Sequence, residues 1–206
     1  MTSHKELQRI EAFSDGVFAI ASTLLILEIA VPHVDDVMHP GALWLALKAE
    51  WPSLVAYLLG FESILVAWAG HQRGLTLLTK SSKAFLYANG FLLLSITFMP
   101  FPTAVLARYI DTPQANIAVM LYSAAWFVTN LAFNLWWLTM FRPVRLLSSS
   151  LSKAAARKVT RHTISGTVLY ACTIVLSYWF PIAGFLIIFA SQMLWIVVSI
   201  GDDEAQ

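Results

Sequence analysis

Residues 84–107 read AFLYANGFLLLSITFMPFPTAVLA, 24 residues without one charge. A bilayer core about 30 Å thick is crossed by roughly 20 apolar residues in a helix. Barrel strands alternate apolar and polar residues with period two, and this run is continuously apolar. In lipid a helix satisfies its backbone groups internally. The stretch therefore reads as a transmembrane helix.

Comparable runs flank it. They cover about residues 10–31, stopping at Pro32, residues 47–70 with Glu62 inside, and the uncharged residues 112–141. A last uncharged run, 163–200, is too long for one span, and Pro181 and Gly184 divide it. Two short helices in a tight hairpin are expected there. The expected fold is an all-α integral membrane protein of one domain, 1–206, with six spans at about 10–31, 47–70, 84–107, 112–141, 163–180 and 182–200. The first run follows a mixed acidic and basic segment and lacks a small-x-small cleavage site, so it does not read as a signal peptide.

Composition agrees. Charged residues make up 12% of the 206, about half the share in a soluble domain. Hydrophobic residues reach 58% and mean hydropathy is +0.69. This excludes a disordered chain, a basic nucleic-acid binder and a disulfide scaffold, the last also because Cys172 is the single cysteine.

The positions of the charges give a topology. Lys5 and Arg9 precede the first span. Arg73, Lys80 and Lys83 lie between the second and third. Arg142, Arg145, Lys153, Arg157, Lys158 and Arg161 lie between the fourth and fifth. Only Lys48 and Arg108 fall on the other side. The positive-inside rule then makes both termini cytoplasmic, which needs an even number of spans. The expected location is the cell membrane. The basic connection, about 142–162, turns helical around 154–159 and reads as a topology-setting interfacial segment or as a binder of anionic lipid headgroups.

The first span holds an oddity. Asp15 sits a few positions inside it, where a carboxylate costs up to about 2.5–3.5 kcal/mol at the centre of the span and less near an end. Its partner is expected from another helix, and His71 and Asn89 are the nearest in depth. Arg9 and Phe13 are four apart and can stack on one face. At about 100° per residue, Phe13, Gly16, Ile20, Thr23, Leu24, Leu27 and Val31 share one face. On pattern alone that stripe reads as helix packing or lipid contact, with a pore wall as the alternative.

Arg9-x-x-x-Phe13-Ser14-Asp15 at the cytoplasmic end of a first span resembles the signature of the transmembrane protein 175 family of potassium channels, in its short prokaryotic form. His71 and Asn89 are looser matches, as polar contacts supporting the motif. The resemblance implies a homotetramer around a pore lined by the first helix. It implies a constriction at Ile20, Leu24 and Leu27 and a hydroxyl layer at Thr23. Arg9, Phe13, Ser14 and Asp15 would support the pore helix from behind. Potassium is the implied permeant ion, membrane lipid the surroundings, and no cofactor or nucleic acid is expected.

The residues allow that mechanism. No Thr-Val-Gly-Tyr-Gly filter occurs. Narrow apolar rings would instead force partial dehydration, which favours potassium modestly over sodium, and would gate by dewetting. Glu28 reads as a pore-mouth acid or an interfacial one. Glu62 reads as a hydrogen-bonded structural acid or a cavity-lining one. His33, Asp35, Asp36 and His39 fit no strong zinc pattern and read as a solvated loop. No metalloprotease, esterase or phosphate-loop motif is present, so no enzyme is expected. The alternative function is an ion-coupled secondary transporter using Asp15, Glu62 and His71, followed by a membrane scaffold without transport.

Overall fold

The computed structural model describes residues 2–33, 39–141, 146–147 and 153–204. Asp35, Asp36, Arg142 and Arg145 lie outside the described residues. Among the described residues eight helices follow in order: α1 (Thr2–Leu24), α2 (Ala42–Ala49), α3 (Trp51–Thr76), α4 (Lys83–Phe98), α5 (Pro100–Tyr109), α6 (Ala115–Thr139), α7 (Lys153–Trp179) and α8 (Pro181–Glu204). A 3-10 turn, Leu25–Glu28, extends α1.

Among the described residues four helical stretches are long and apolar enough to cross a membrane: Lys5–Glu28, Trp51–Thr76, Lys83–Tyr109 and Ala115–Thr139. Each overlaps one of the first four expected spans. α8 contributes a shorter apolar stretch, Pro181–Ile196. α7 is diluted by its own polar beginning, since the chain becomes free of charge only from Thr163.

Several expected boundaries change, each for a local reason. The first helix starts near the N-terminus and is already extended at Ile29, because its last turn tightens to 3-10 geometry. The second run splits. α2 ends at Ala49 and α3 begins at Trp51 with Pro52 in its first turn, where a missing N–H does no harm. Ser53 Oγ donates to Glu50 Oε2 across that start at 2.9 Å. The third run bends at Met99–Pro100. Pro100 has no N–H to continue the ladder. Met99 N–H turns to Ile96 O at 3.1 Å, and Thr103 Oγ1 donates to Met99 O at 2.8 Å.

The last two helices are not short. α7 has 27 residues and α8 has 24. Pro181 does not break a helix there but opens one, at the position where proline is favoured. Gly184 closes the hairpin: a Cβ on it would lie 2.0 Å from Ser177 Oγ.

The three basic segments meet at one end of the bundle. Ser81 Oγ donates to Glu6 Oε2 at 2.9 Å, joining the N-terminal segment to the α3–α4 connection. Thr79 N–H donates to Leu146 O at 2.9 Å, and Leu78 pairs with Leu147, joining that connection to the one before α7. The buried core runs between α1, α3, α4 and α6, with Phe18, Phe85, Leu92, Tyr122 and Trp136 inside it.

Candidate functional site

α1 has two unlike sides. Ser14, Phe18, Ala21 and Leu25 are at most 2% exposed. Their spacing of four, three and four keeps them on one stripe of a helix. That stripe lies against α3 and α4. Away from it, Phe13 is 66% exposed, Ile20 60%, Leu27 73% and Val31 92%. Gly16, Thr23 and Leu24 are exposed on the same side. Of the four long apolar stretches, the one containing α1 is the least covered by the rest of the chain.

The 3-10 turn changes the register of this face. In 3-10 geometry residues three apart eclipse, so Leu24 and Leu27 stand one above the other. Thr23 Oγ1 donates to Ile20 O at 2.9 Å. Its hydroxyl proton is thereby used within the helix, and the oxygen lone pairs are left facing outward. Glu28, at the end of the turn, is exposed.

A polar clamp fixes the buried side near the basic end of the bundle. Asn89 Nδ2 donates to Ser14 Oγ at 3.1 Å, and Asn89 Oδ1 lies 2.8 Å from His71 Nε2. With the Asn89 amide nitrogen directed at Ser14, its carbonyl faces His71, so Nε2 is the donor. His71 stacks on Trp136, at 4.9 Å between ring centres, and meets Phe18 on a tilt of 49° at 5.3 Å. Gly74 makes room for that stack, because a Cβ on it would meet the Trp136 ring at 2.3 Å. His71, Asn89 and Ser14 are all buried.

Asp15 is satisfied differently from expectation. Its partners are Trp68 Nε1, donating at 2.9 Å, and Gln72 Nε2, both to Oδ1. They do come from another helix, but Asn89 binds Ser14 instead, and His71 binds Asn89. The reason is helical: neighbouring residues point about 100° apart. Ser14 aims between α3 and α4, while Asp15 aims at the flank of α3 that carries Trp68 and Gln72, four apart on one face. Arg9 is exposed with Phe13, so only Ser14 and Asp15 of the motif touch neighbouring helices through these bonds.

The acids named for coupled transport are not brought together. Glu62 is nine residues before His71 on α3, about 14 Å along the helix. Its Oε1 is buried and has no hydrogen-bond partner among the described residues. Gln72 and Phe18 went unread in the sequence, and Trp68 and Trp136 suggested only the inner membrane interface, not partners of Asp15 and His71. The available signal was Trp68-x-x-His71-Gln72 toward the basic end of α3, at the depth of Asp15.

With that geometry in place, likeness to known proteins can be weighed. The profile of the family described as endosomal/lysosomal potassium channel TMEM175 matches residues 9–100, the stretch holding α1 from Arg9 onward, the clamp and the start of α5. A potassium channel of Chamaesiphon minutus is 42% identical over 84% of this chain and 85% of its own length. The chain belongs to the TMEM175 family. A potassium channel of Streptomyces collinus is 37% identical over 84% of this chain and 83% of its own. The crystal structure of a lysosomal potassium-selective channel TMEM175 homolog from Chamaesiphon minutus superposes with a TM-score of 0.83 at 36% identity. It covers 95% of this chain and 98% of that one. The TMEM175 chain described here is thus an all-helical, multi-pass membrane protein.

Proposed function

We propose that this TMEM175 chain is a potassium-permeable channel, formed by four copies around a central pore that α1 lines. The observation that carries it is the apolar, uncovered face of α1 set against a buried, clamped back. The two relatives named as potassium channels support the ion, and four copies give each α1 face a common axis. The reading keeps six spans per subunit, with α7 and α8 as the fifth and sixth. Both termini are then cytoplasmic, and the membrane is the cell membrane.

In this arrangement Ile20, Leu24 and Leu27 form three stacked apolar rings. Ile20 to Leu24 is four α-helical residues, about 6 Å. Leu24 to Leu27 is three 3-10 residues, again about 6 Å. An ion passing them loses part of its water shell and gains no strong coordination in return. Potassium surrenders water at lower cost than sodium, so discrimination is modest. When the rings close, water leaves the gap, and a dewetted apolar constriction is a gate. Thr23 offers only an oxygen acceptor beside the Leu24 ring. Glu28 at the outer mouth raises local cation concentration.

The clamp acts at a distance from the ion. Ser14, Asn89, His71, Asp15, Trp68 and Gln72 hold the back of α1 so that its front keeps one register. The test is purified protein in a planar bilayer between unequal potassium and sodium solutions. Unitary currents reversing toward the potassium equilibrium potential are expected. A slow flux with fixed ion stoichiometry would instead make the protein a coupled transporter, with the unsatisfied Glu62 as its first candidate.

A further inference from the structure

One face of α7 changes character along its length. Arg157 and Arg161 are four residues apart and both exposed, so they stand together on that face. It continues through Ile164 and Val168, 52% and 56% exposed, to the exposed Cys172. Arg161 to Cys172 is eleven residues, about 16 Å of helix. That is close to half of a hydrocarbon core about 30 Å thick.

The basic end is a groove with a fixed floor. Phe141 and Thr160 line it with the two arginines and Ile164. Trp137 Nε1 donates to Thr160 Oγ1 at 2.9 Å, and Phe141 meets the Trp137 ring edge-on at 5.1 Å between centres. The end of α6 is thereby pinned to the early turns of α7, with apolar surface beneath the guanidinium groups.

We propose that this groove binds the phosphate headgroup of an anionic phospholipid, its acyl chain lying along Ile164, Val168 and Cys172. Guanidinium groups present a planar fork that matches phosphate oxygens. The apolar stripe beside them has the length of one leaflet, and a soluble anion would leave it unused. Charge and apolar surface run in the order found in a phospholipid. The inference rests on the reading that α7 crosses the bilayer with its N-terminal end at the cytoplasmic face.

The test uses the full-length protein in detergent, with phosphatidylglycerol, phosphatidylcholine and inorganic phosphate added separately. Cys172, the sole cysteine, carries a fluorophore, and the lipids carry brominated acyl chains that quench on contact. Phosphatidylglycerol is expected to quench at lower concentration than phosphatidylcholine and to raise the unfolding temperature, while inorganic phosphate does neither. Arg157→Gln with Arg161→Gln should weaken the phosphatidylglycerol effect about 30-fold, as two surface charges do. Lys80→Gln with Lys83→Gln, elsewhere on the same side, should leave it unchanged. Equal quenching by both lipids, stabilisation by phosphate alone, or an unaltered response in a normally folded Arg157→Gln/Arg161→Gln protein would overturn the proposal. These readouts involve no ion flux. A protein that binds lipid as expected but passes no potassium overturns the channel reading alone.

Discussion

The two sides of α1 are built by opposite rules. The back mixes the small and polar with the large: Ser14 and Ala21 are fully buried beside Phe18 and Leu25, and Ser14 is tied to α4 through Asn89. The front uses large apolar residues and leaves them bare, Ile20 at 60% and Leu27 at 73% exposed. In a membrane the apolar front gains nothing from lipid that it would not gain from another helix. Directional bonds on the back therefore decide which way the helix faces. The difference teaches that the polar contacts set orientation, which leaves the apolar stripe bare for the pore wall we propose.

Breaking the back should have the largest effect on folding. Gly74→Val would push a side chain into the Trp136 ring and displace the stack on His71. Overpacking of this kind costs about 1–3 kcal/mol and sometimes more. The expected outcome is a clear drop in unfolding temperature and in yield of assembled protein, read by size-exclusion and a thermal scan. A wild-type thermal profile would show that the stack does not hold the helix.

Asn89→Leu comes next. It leaves Ser14 Oγ without its donor and His71 Nε2 without its acceptor, at about 1–3 kcal/mol for buried groups left unpaired. Stability should fall while the potassium-to-sodium permeability ratio of whatever assembles stays near wild type. A large change in that ratio with normal stability would move the clamp into the ion path. The smallest effect is expected from Thr23→Ala. Its hydroxyl proton is already spent on Ile20 O, and the apolar rings remain, so reversal potentials should shift only slightly. A collapse of selectivity in this variant would make the hydroxyl layer the filter.

How far the sequence carried this picture differs by region. The exposed face of α1 was readable because helical periodicity is a local property, and Phe13, Ile20 and Leu24 fall where a regular wheel puts them, whereas the 3-10 turn shifts Leu27 to stand above Leu24. The partner of Asp15 was not readable. Depth alone cannot separate His71 from Gln72, one residue and about 100° apart, and only the packing of α1 on α3 chooses between them. The length of α7 was also hidden. The interleaved alanines favour helix around 154–159, but Lys153, Arg157, Lys158 and Arg161 set that stretch apart from the apolar run beginning at Thr163, so one continuous helix was not expected. The bend at Met99–Pro100 shows the reverse case, where two prolines were visible but each sits in the first turn of α5 and so ends one helix without ending the span.

The central claim is that the front of α1 faces an ion pathway. It is tested most directly by single cysteines at Ile20, Leu24 and Leu27 in a Cys172→Ser background, probed in a conducting bilayer with a small charged thiol reagent. The account predicts that each cysteine is modified when the protein conducts, with current changing on modification. It also predicts that Ile20→Asn raises conductance and weakens the preference for potassium over sodium, because a polar ring keeps the constriction wet. Unmodified cysteines at all three positions in a conducting protein, with Ile20→Asn lowering stability and leaving conductance unchanged, would contradict it.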